Sequence, residues 1–179
     1  MTTVAVARVA DTLTLARLLL AGLIAVVLAA DRLLLGAVIL VCGWTTDTAD
    51  GFFARKAPGM TKLGPWDATV DGIVGMGLML GLVLGGFVPL AWLIAVLALG
   101  GLLFFAGSSA SGMLLQGIAY GWFLWILAER HTGALILVLA VIVVVAIIHG
   151  QRVPKVLIPK FFADLARLKG IRRGPNPEG

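Results

Sequence analysis

The 179-residue chain has few of the residues that stabilise or equip small soluble proteins. Its one cysteine, Cys42, excludes an intrachain disulfide and any zinc site built from several cysteines, and we expect it to be a small core residue. Charged residues make up only 13% of the chain, whereas a soluble domain has about 25%. This shortage of charge excludes an ordinary water-soluble fold.

Hydrophobic residues take the place of the missing charges and form 60% of the chain. They fall into six runs close to the span of about 17–25 residues that crosses a bilayer as a helix. The runs cover approximately residues 13–30, 33–53, 67–85, 89–106, 111–128 and 133–149. Backbone groups in lipid must be paired within the segment, and the alternation of a barrel strand is missing. We therefore predict an all-α integral membrane protein whose residues 1–150 form a bundle of six transmembrane helices.

The basic residues define an orientation for this bundle. The chain carries 14 Lys and Arg against nine Asp and Glu, a net charge of +5. These residues lie at the ends of apolar runs, so we expect membrane lipids as the partner and no nucleic acid. In the six-helix arrangement, Arg32 and Arg130 are the only basic residues on one side of the membrane, and the other twelve lie on the side of the termini. Because Lys and Arg are in excess on the cytoplasmic side, this distribution predicts that both termini are cytoplasmic. We expect a multi-pass protein of a prokaryotic cell membrane.

Residues 151–179 differ from the rest, because apolar and basic residues are interleaved there. This pattern predicts an amphipathic cytoplasmic segment lying on the anionic leaflet, with a disordered end. Within the third run, Gly77 and Gly81 form a pair of small residues that allows helices to approach closely. The pair indicates either tight packing inside the bundle or a dimer seam, and we expect a homodimer.

Four of the nine acidic residues lie within 25 positions, Asp47 to Asp71. Asp47 and Asp50 are three residues apart on one helix, and Asp67 and Asp71 are four apart on the next. Such spacings place each pair on one helical face. Carboxylates this close repel one another unless a cation neutralises them, and hard divalent ions with oxygen ligands do so. A pair of such ions can clamp a diphosphate, so the pattern predicts a metal-assisted reaction at a phosphate group.

The residues around the aspartates fit a phosphate-bearing substrate. Gly51 and Ala54 are small and leave room beside the carboxylates, and Arg55 offers a planar fork for phosphate. Thr61 and Gly64 lie in the connecting loop, where a hydroxyl and a bare backbone can contact a nucleotide.

Arg17 lies just inside the first apolar run and has two interpretations. It snorkels to lipid headgroups, or it holds a substrate phosphate. A structural role for the aspartates, as buried acids that pair with cations to join helices, is disfavoured because Arg55 is the only strong cation near them in the sequence.

The acidic stretch resembles the signature of the CDP-alcohol phosphotransferase (CDP-alcohol phosphatidyltransferase) family. That signature has the form Asp-x2-Asp-Gly-x2-Ala-Arg, eight residues, then Gly…Asp-x3-Asp. Leu13-Thr14-x2-Arg17 is similar to a run near the N-terminus of many members. The chain departs from the family at one point, because two residues separate the second glycine from the third aspartate where three are usual. The matching residues are Asp47, Asp50, Gly51, Ala54, Arg55, Gly64, Asp67 and Asp71.

The resemblance implies a membrane enzyme that transfers a phosphatidyl group from a CDP-linked lipid, usually CDP-diacylglycerol, to a small alcohol and releases CMP. It implies Mg²⁺ or Mn²⁺, as two ions, and Asp71 as the base that deprotonates the acceptor hydroxyl. The implied metal ligands are Asp47, Asp50 and Asp67, with Asp71 as a further contact. The residues implied to hold the CDP moiety are Gly51, Ala54, Arg55, Thr61 and Gly64.

The acceptor stays open between glycerol phosphate, inositol phosphate, inositol and serine. A phosphorylated acceptor needs further cations, for which Arg152 and Lys155 are candidates beside Arg17. Gly72 after the last aspartate disfavours a phosphatidylglycerophosphate synthase, and Asp67-Ala68-Thr69 is loosely similar to members that use inositol phosphate.

Two other functions are weighed against this one. An intramembrane prenyltransferase also uses aspartates, Mg²⁺ and a diphosphate, but needs more spans and differently spaced motifs. A divalent-cation transporter needs carboxylates across the bilayer, whereas these cluster on one side.

Overall fold

The computed structural model describes residues 3–56, 61–63, 66–105 and 110–149, some of them by backbone alone. These residues form six α-helices and no strand, which confirms the all-helical prediction. The amphipathic segment predicted for residues 151–179 lies outside the described residues. The helices are α1 (Thr3–Ala29), α2 (Leu33–Lys56), α3 (Asp67–Leu84), α4 (Leu90–Phe105), α5 (Ala110–Arg130) and α6 (Thr132–His149).

Five of the helices begin and end close to the predicted apolar runs, but α1 begins at Thr3 instead of near Leu13. Its first turns carry Arg8 and Asp11, so a search for apolar runs ends before the helix does. With 27 residues and a rise of 1.5 Å per residue, α1 is about 40 Å long and exceeds the roughly 30 Å hydrocarbon core of a bilayer. The helix is therefore longer than the hydrocarbon core, and its charged residues Arg8 and Asp11 lie in its N-terminal part.

Two of the described helices, Thr3–Ala29 and Leu33–Phe53, are long and apolar enough to cross a membrane by themselves. Three shorter apolar helices accompany them, Thr69–Leu84, Leu90–Leu102 and Thr132–Ile147. The outer surface is apolar too: Leu19 is 72% exposed, Leu102 68% and Ile147 77%. Large exposed apolar side chains in such number are typical of a surface that meets lipid. Cys42 is also exposed, so the expectation that it lies in the core is wrong.

The helix contacts close a ring in the order α1, α2, α6, α5, α3 and back to α1, with α4 packed outside against α5 and α3. α1 makes the most extensive contacts, with α2 on one side and α3 on the other. The core is built from fully buried side chains such as Leu28, Leu78, Leu82, Phe123 and Leu127. The helix that carries Arg17 thus joins the two helices that carry the aspartates.

Two turns at one end of the bundle end their helices with a left-handed residue. Asp31 follows α1 with φ 58°, and Gly86 follows α3 with φ 73°. In each turn the next amide, that of Arg32 or Phe87, donates back to a carbonyl of the last helical turn, at 3.1 and 2.9 Å. This is the Schellman arrangement, which satisfies the free carbonyls of a helix end. Aspartate tolerates the left-handed region better than most side chains, because its short polar group bonds locally.

The α1–α3 contact depends on glycine. A Cβ on Gly77 would overlap the Ala21 carbonyl oxygen, and a Cβ on Gly81 would lie 2.9 Å from the Ala25 Cα and oxygen. Both glycines of the predicted small-residue pair therefore pack α3 against α1 within one chain. The pair is not a dimer seam, and the homodimer stays a prediction that must rest on other surfaces.

Candidate active site

Three of the four predicted aspartates meet on one guanidinium group. Arg17 Nη1 donates to Asp47 Oδ1 at 2.5 Å and to Asp71 Oδ1 at 2.6 Å. Arg17 Nη2 donates to Asp50 Oδ2 at 2.7 Å, and this oxygen also accepts the Thr14 hydroxyl at 2.6 Å. Residues from α1, α2 and α3 thus form one charged cluster, in which three carboxylates share one described cation.

The cluster is closed on one side and open on the other. The side chain of Arg17 is 1% exposed and that of Asp50 9%, whereas those of Asp71 and Asp47 are 34% and 47% exposed. The arginine therefore lies at the base, and the two outer carboxylates line the accessible face. A soluble ligand can therefore reach the cluster from the face that carries Asp47 and Asp71.

Helix register explains why Arg17 reaches all three carboxylates. The pairs Thr14–Asp50, Arg17–Asp47 and Leu28–Gly36 have the same sum of residue numbers, as antiparallel helices in one register require. Because α1 and α3 pack Ala21 on Gly77 and Ala25 on Gly81, these two helices run parallel. Helical side chains lean toward the N-terminus, so the long Arg17 side chain extends back to the level of Asp71.

This geometry corrects the sequence interpretation of Arg17 in two respects. The snorkelling interpretation is wrong, because the guanidinium is buried and bonded to carboxylates. The judgement that Arg55 is the only strong cation near the aspartates is wrong as well, because α1 brings Arg17 into their centre. Thr14 and Arg17 lie three residues apart in an apolar run, two turns and one turn before Ala21, respectively. That spacing was the signal that both face the same neighbouring helices.

The donor set suits a hard divalent cation, since carboxylate oxygens are the ligands that Mg²⁺ and Mn²⁺ prefer. Among the described side chains, however, no three acidic, histidine or cysteine groups surround a common point as metal ligands do. The carboxylates instead converge on Arg17. The residues fit a metal site in chemistry, and the oxygens that a metal needs are the same oxygens that Arg17 bonds.

The remaining predicted residues are only partly described. Gly51 follows Asp50 in α2 and is half-buried, and Thr61 lies half-buried in the loop between α2 and α3. Asp67 begins α3 and is described by its backbone alone, and the same holds for Ala54 and Arg55 within α2. Gly64, Arg152 and Lys155 lie outside the described residues.

Asp11 is a site residue that the sequence did not single out. Its carboxylate accepts the backbone N–H groups of Lys62 at 3.2 Å and of Leu63 at 3.0 Å. The part of α1 that extends past the apolar run thus bonds the loop that joins the two aspartate pairs. The contact was not predictable from an apolar segment that began near Leu13.

Two aromatic residues lie beside the cluster. Trp44, one turn before Asp47, meets Tyr120 of α5 edge to face, with ring centroids 5.4 Å apart. Tyr120 lies within electrostatic range of Asp71 and Asp47. The ring pair thus links α2 to α5 beside the charged cluster. A separate apolar cavity of about 480 Å³ is lined by Trp92, Ile118, Gly121, Trp122 and Trp125 and includes no residue of the charged cluster.

Comparison with protein families identifies the chain through the same helices. The family described as CDP-alcohol phosphatidyltransferase matches residues 7–146, which include the whole cluster and all six helices save the ends of the first and last. The chain belongs to the CDP-alcohol phosphatidyltransferase family. CDP-alcohol phosphatidyltransferases are membrane-embedded transferases of phospholipid biosynthesis and generally depend on divalent metals. Comparison of the chain with curated proteins and with solved structures found no significant match.

Membership in the CDP-alcohol phosphatidyltransferase family makes the chain an enzyme that uses a CDP-alcohol donor and an alcohol acceptor. The four aspartates found by spacing lie inside the matched region, as do Thr14 and Arg17. The predicted family, the transferase class and the helical fold are therefore confirmed.

Proposed function

We propose that the chain transfers a phosphatidyl group from a CDP-linked lipid, with CDP-diacylglycerol as the expected donor, to a small alcohol and releases CMP. The observation that carries this proposal is the convergence of Asp47, Asp50 and Asp71 at one accessible end of the bundle. Family membership supplies the reaction class, and the cluster supplies the oxygen-rich site that a diphosphate and its counterions need.

In the proposed step, the acceptor oxygen forms a bond to the phosphorus that bears the diacylglycerol. The bond from that phosphorus to the bridging oxygen breaks, and CMP leaves with the electron pair. Asp71 takes the hydroxyl proton, for which it is suited by its partly exposed carboxylate one turn inside α3. Bound Mg²⁺ or Mn²⁺, as two ions held by Asp47, Asp50, Asp67 and Asp71, would offset the charge of the diphosphate.

The CDP moiety is proposed to lie against the same end of α2 and the following loop. Gly51 and the small Ala54 are assigned to leave space beside the aspartates. Arg55 is assigned to a phosphate of the CDP moiety. Thr61 and Gly64 are assigned to the nucleotide. The backbone N–H groups of Lys62 and Leu63 donate to Asp11, which supports a fixed position for residues 61–63.

We place the site at the cytoplasmic leaflet of a prokaryotic cell membrane. Arg8, Lys56 and Lys62 are exposed near the end of the bundle that carries the aspartates, whereas Arg32 and Arg130 are exposed at the other end. An excess of basic residues marks the cytoplasmic side. The lipid donor and a water-soluble acceptor can meet there. The same proposal includes six membrane crossings, in which the shorter helices span as part of the bundle. It also includes a homodimer and a site for an acceptor phosphate at Arg152 and Lys155.

The test is CMP release by the purified chain in lipid with CDP-diacylglycerol, Mg²⁺ or Mn²⁺, and a panel of glycerol phosphate, inositol phosphate, inositol and serine. We expect turnover of at least one acceptor and loss of turnover on chelation or in Asp71→Asn. Asp31→Asn is the matched control, because it removes a carboxylate at the far end of the bundle and asparagine tolerates a positive φ. Full activity in Asp47→Ala would sink the metal-ligand assignment, and cation flux without turnover would favour a transporter.

A further inference from the structure

Arg17 bonds the oxygens that the proposed metal ions require. Its two terminal nitrogens contact one oxygen each of Asp47, Asp50 and Asp71. A divalent ion bound by those carboxylates must share or replace these contacts, and its charge is repelled by the nearby guanidinium. The arginine and the metal therefore act on one set of ligands.

We infer that Arg17 is a positioning residue, an internal cation that holds the aspartates of α2 and α3 together in the metal-free protein and weakens divalent-cation binding to them. The inference concerns the metal site of the proposed function and rests on it for its biological meaning. Its physical content is a coupling between one side chain and metal affinity, which is measurable without substrate.

Burial gives this coupling its strength. The guanidinium is almost fully buried, so water screens its attraction to the carboxylates far less than on a surface. Removing the Arg17 charge takes one ion pair from each of the three neighbouring carboxylates. One of these, Asp50, is itself only 9% exposed. An uncompensated buried charge strongly destabilises a protein, and a divalent ion at the same carboxylates would compensate it.

Stability and affinity are then linked. A ligand that binds only the folded state raises stability by an amount that depends on its dissociation constant. If Mn²⁺ restores the stability that Arg17→Gln loses, the variant must bind Mn²⁺ more tightly than the original chain does. The two measurements check each other, and neither is an activity.

The experiment compares thermal unfolding and Mn²⁺ binding in nanodiscs for the original chain, Arg17→Gln and Thr14→Val. We expect Arg17→Gln to lower the Tm strongly in chelator, to regain most of it in Mn²⁺, and to bind Mn²⁺ about tenfold more tightly, a factor that corresponds to about 1.4 kcal/mol. Thr14→Val loses a bond to the same Asp50 without changing the charge. Its Tm should fall by the same amount with and without Mn²⁺.

The inference would be overturned if Arg17→Gln lowered the Tm equally with and without Mn²⁺. It would also be overturned if Arg17→Gln bound Mn²⁺ more weakly than the original chain. Arg17→Lys serves if the glutamine variant cannot be purified. Lysine has three donors on one nitrogen and a shorter reach, so it cannot occupy both positions from which the Arg17 nitrogens bond the aspartates. Its Tm should therefore rise more on adding Mn²⁺ than that of the original chain. A rise no larger than in the original chain would also overturn the inference. Turnover of CDP-diacylglycerol is measured in parallel: an inactive chain with the expected Mn²⁺ coupling contradicts the proposed function alone, and an active chain without it contradicts only this inference.

Discussion

Replacing Gly77 by alanine tests whether the close α1–α3 contact positions the cluster. The added Cβ would meet the carbonyl oxygen of Ala21, with the Ala21 carbonyl carbon at 3.0 Å. Both atoms belong to a helix backbone and cannot rotate away, so the helices must separate. Gly22 is the matched control, since it lies in α1 beside the contact and a Cβ there meets nothing within 4 Å.

The magnitude follows from two opposing terms. Overpacking costs about 1–3 kcal/mol, and rigid backbone neighbours justify the upper value. Alanine gains about 1 kcal/mol over glycine in a helix interior, which leaves a net loss of about 2 kcal/mol in the free energy of unfolding. For a chain of this size each kcal/mol shifts Tm by about 2–4 °C, so the Tm of Gly77→Ala should lie roughly 4–8 °C below that of the original chain. Gly22→Ala should be unchanged or slightly more stable.

Thermal unfolding in nanodiscs, followed by tryptophan fluorescence, measures both variants, and CMP release is recorded below the transition. We expect Gly77→Ala to lose activity as well as stability, because separating α1 from α3 draws Arg17 away from Asp71. Equal Tm values for Gly77→Ala and Gly22→Ala would refute the close register. A lower Tm with full activity would refute the claim that the register positions the site.

Two further predictions concern residues at the two ends of the bundle. Asp11→Ala removes the acceptor for two loop amides, so the KM for the CDP-linked donor should rise several-fold with a smaller change in kcat. The KM of Asp11→Asn should lie between those of Asp11→Ala and the original chain. An unchanged KM in steady-state kinetics would contradict a role for this loop contact. Asp31→Val places a β-branched side chain at φ 58° and should lower stability by about 1–2 kcal/mol, whereas Asp31→Gly should not; equal Tm values for these two variants would contradict the left-handed turn.

The fold was largely predictable because lipid restricts a membrane chain to a few structures. Apolar runs set the helices, and charges mark their ends, as the observed bounds of α2 to α6 show. The start of α1 was not predictable in this way, because Arg8 and Asp11 interrupt the apolar pattern while the helix continues. Hydropathy reports where a helix meets lipid, and α1 is longer than that part.

The site was predictable as far as spacing within one helix reaches. Asp47 and Asp50 share a face by their separation alone, and the following helix supplies Asp71. The contact with Arg17 depends on the register between helices, which Gly77 and Ala21 set through backbone approach. No single-helix pattern carries that information, so Arg17 was predicted as a candidate phosphate ligand and its place at the centre of the aspartate cluster was not.

The antiparallel pairing of α1 with α2 has a consequence for how the chain enters the membrane. A hairpin of these two helices already brings Arg17 beside Asp47 and Asp50, before α3 has been synthesised. Charged groups are costly in a bilayer when they enter alone, and pairing lowers that cost. Two of the three carboxylates that Arg17 bonds can thus be inserted already paired, and α3 adds the third when it packs on α1. The order of the helices along the chain is the order in which the charged cluster can be assembled.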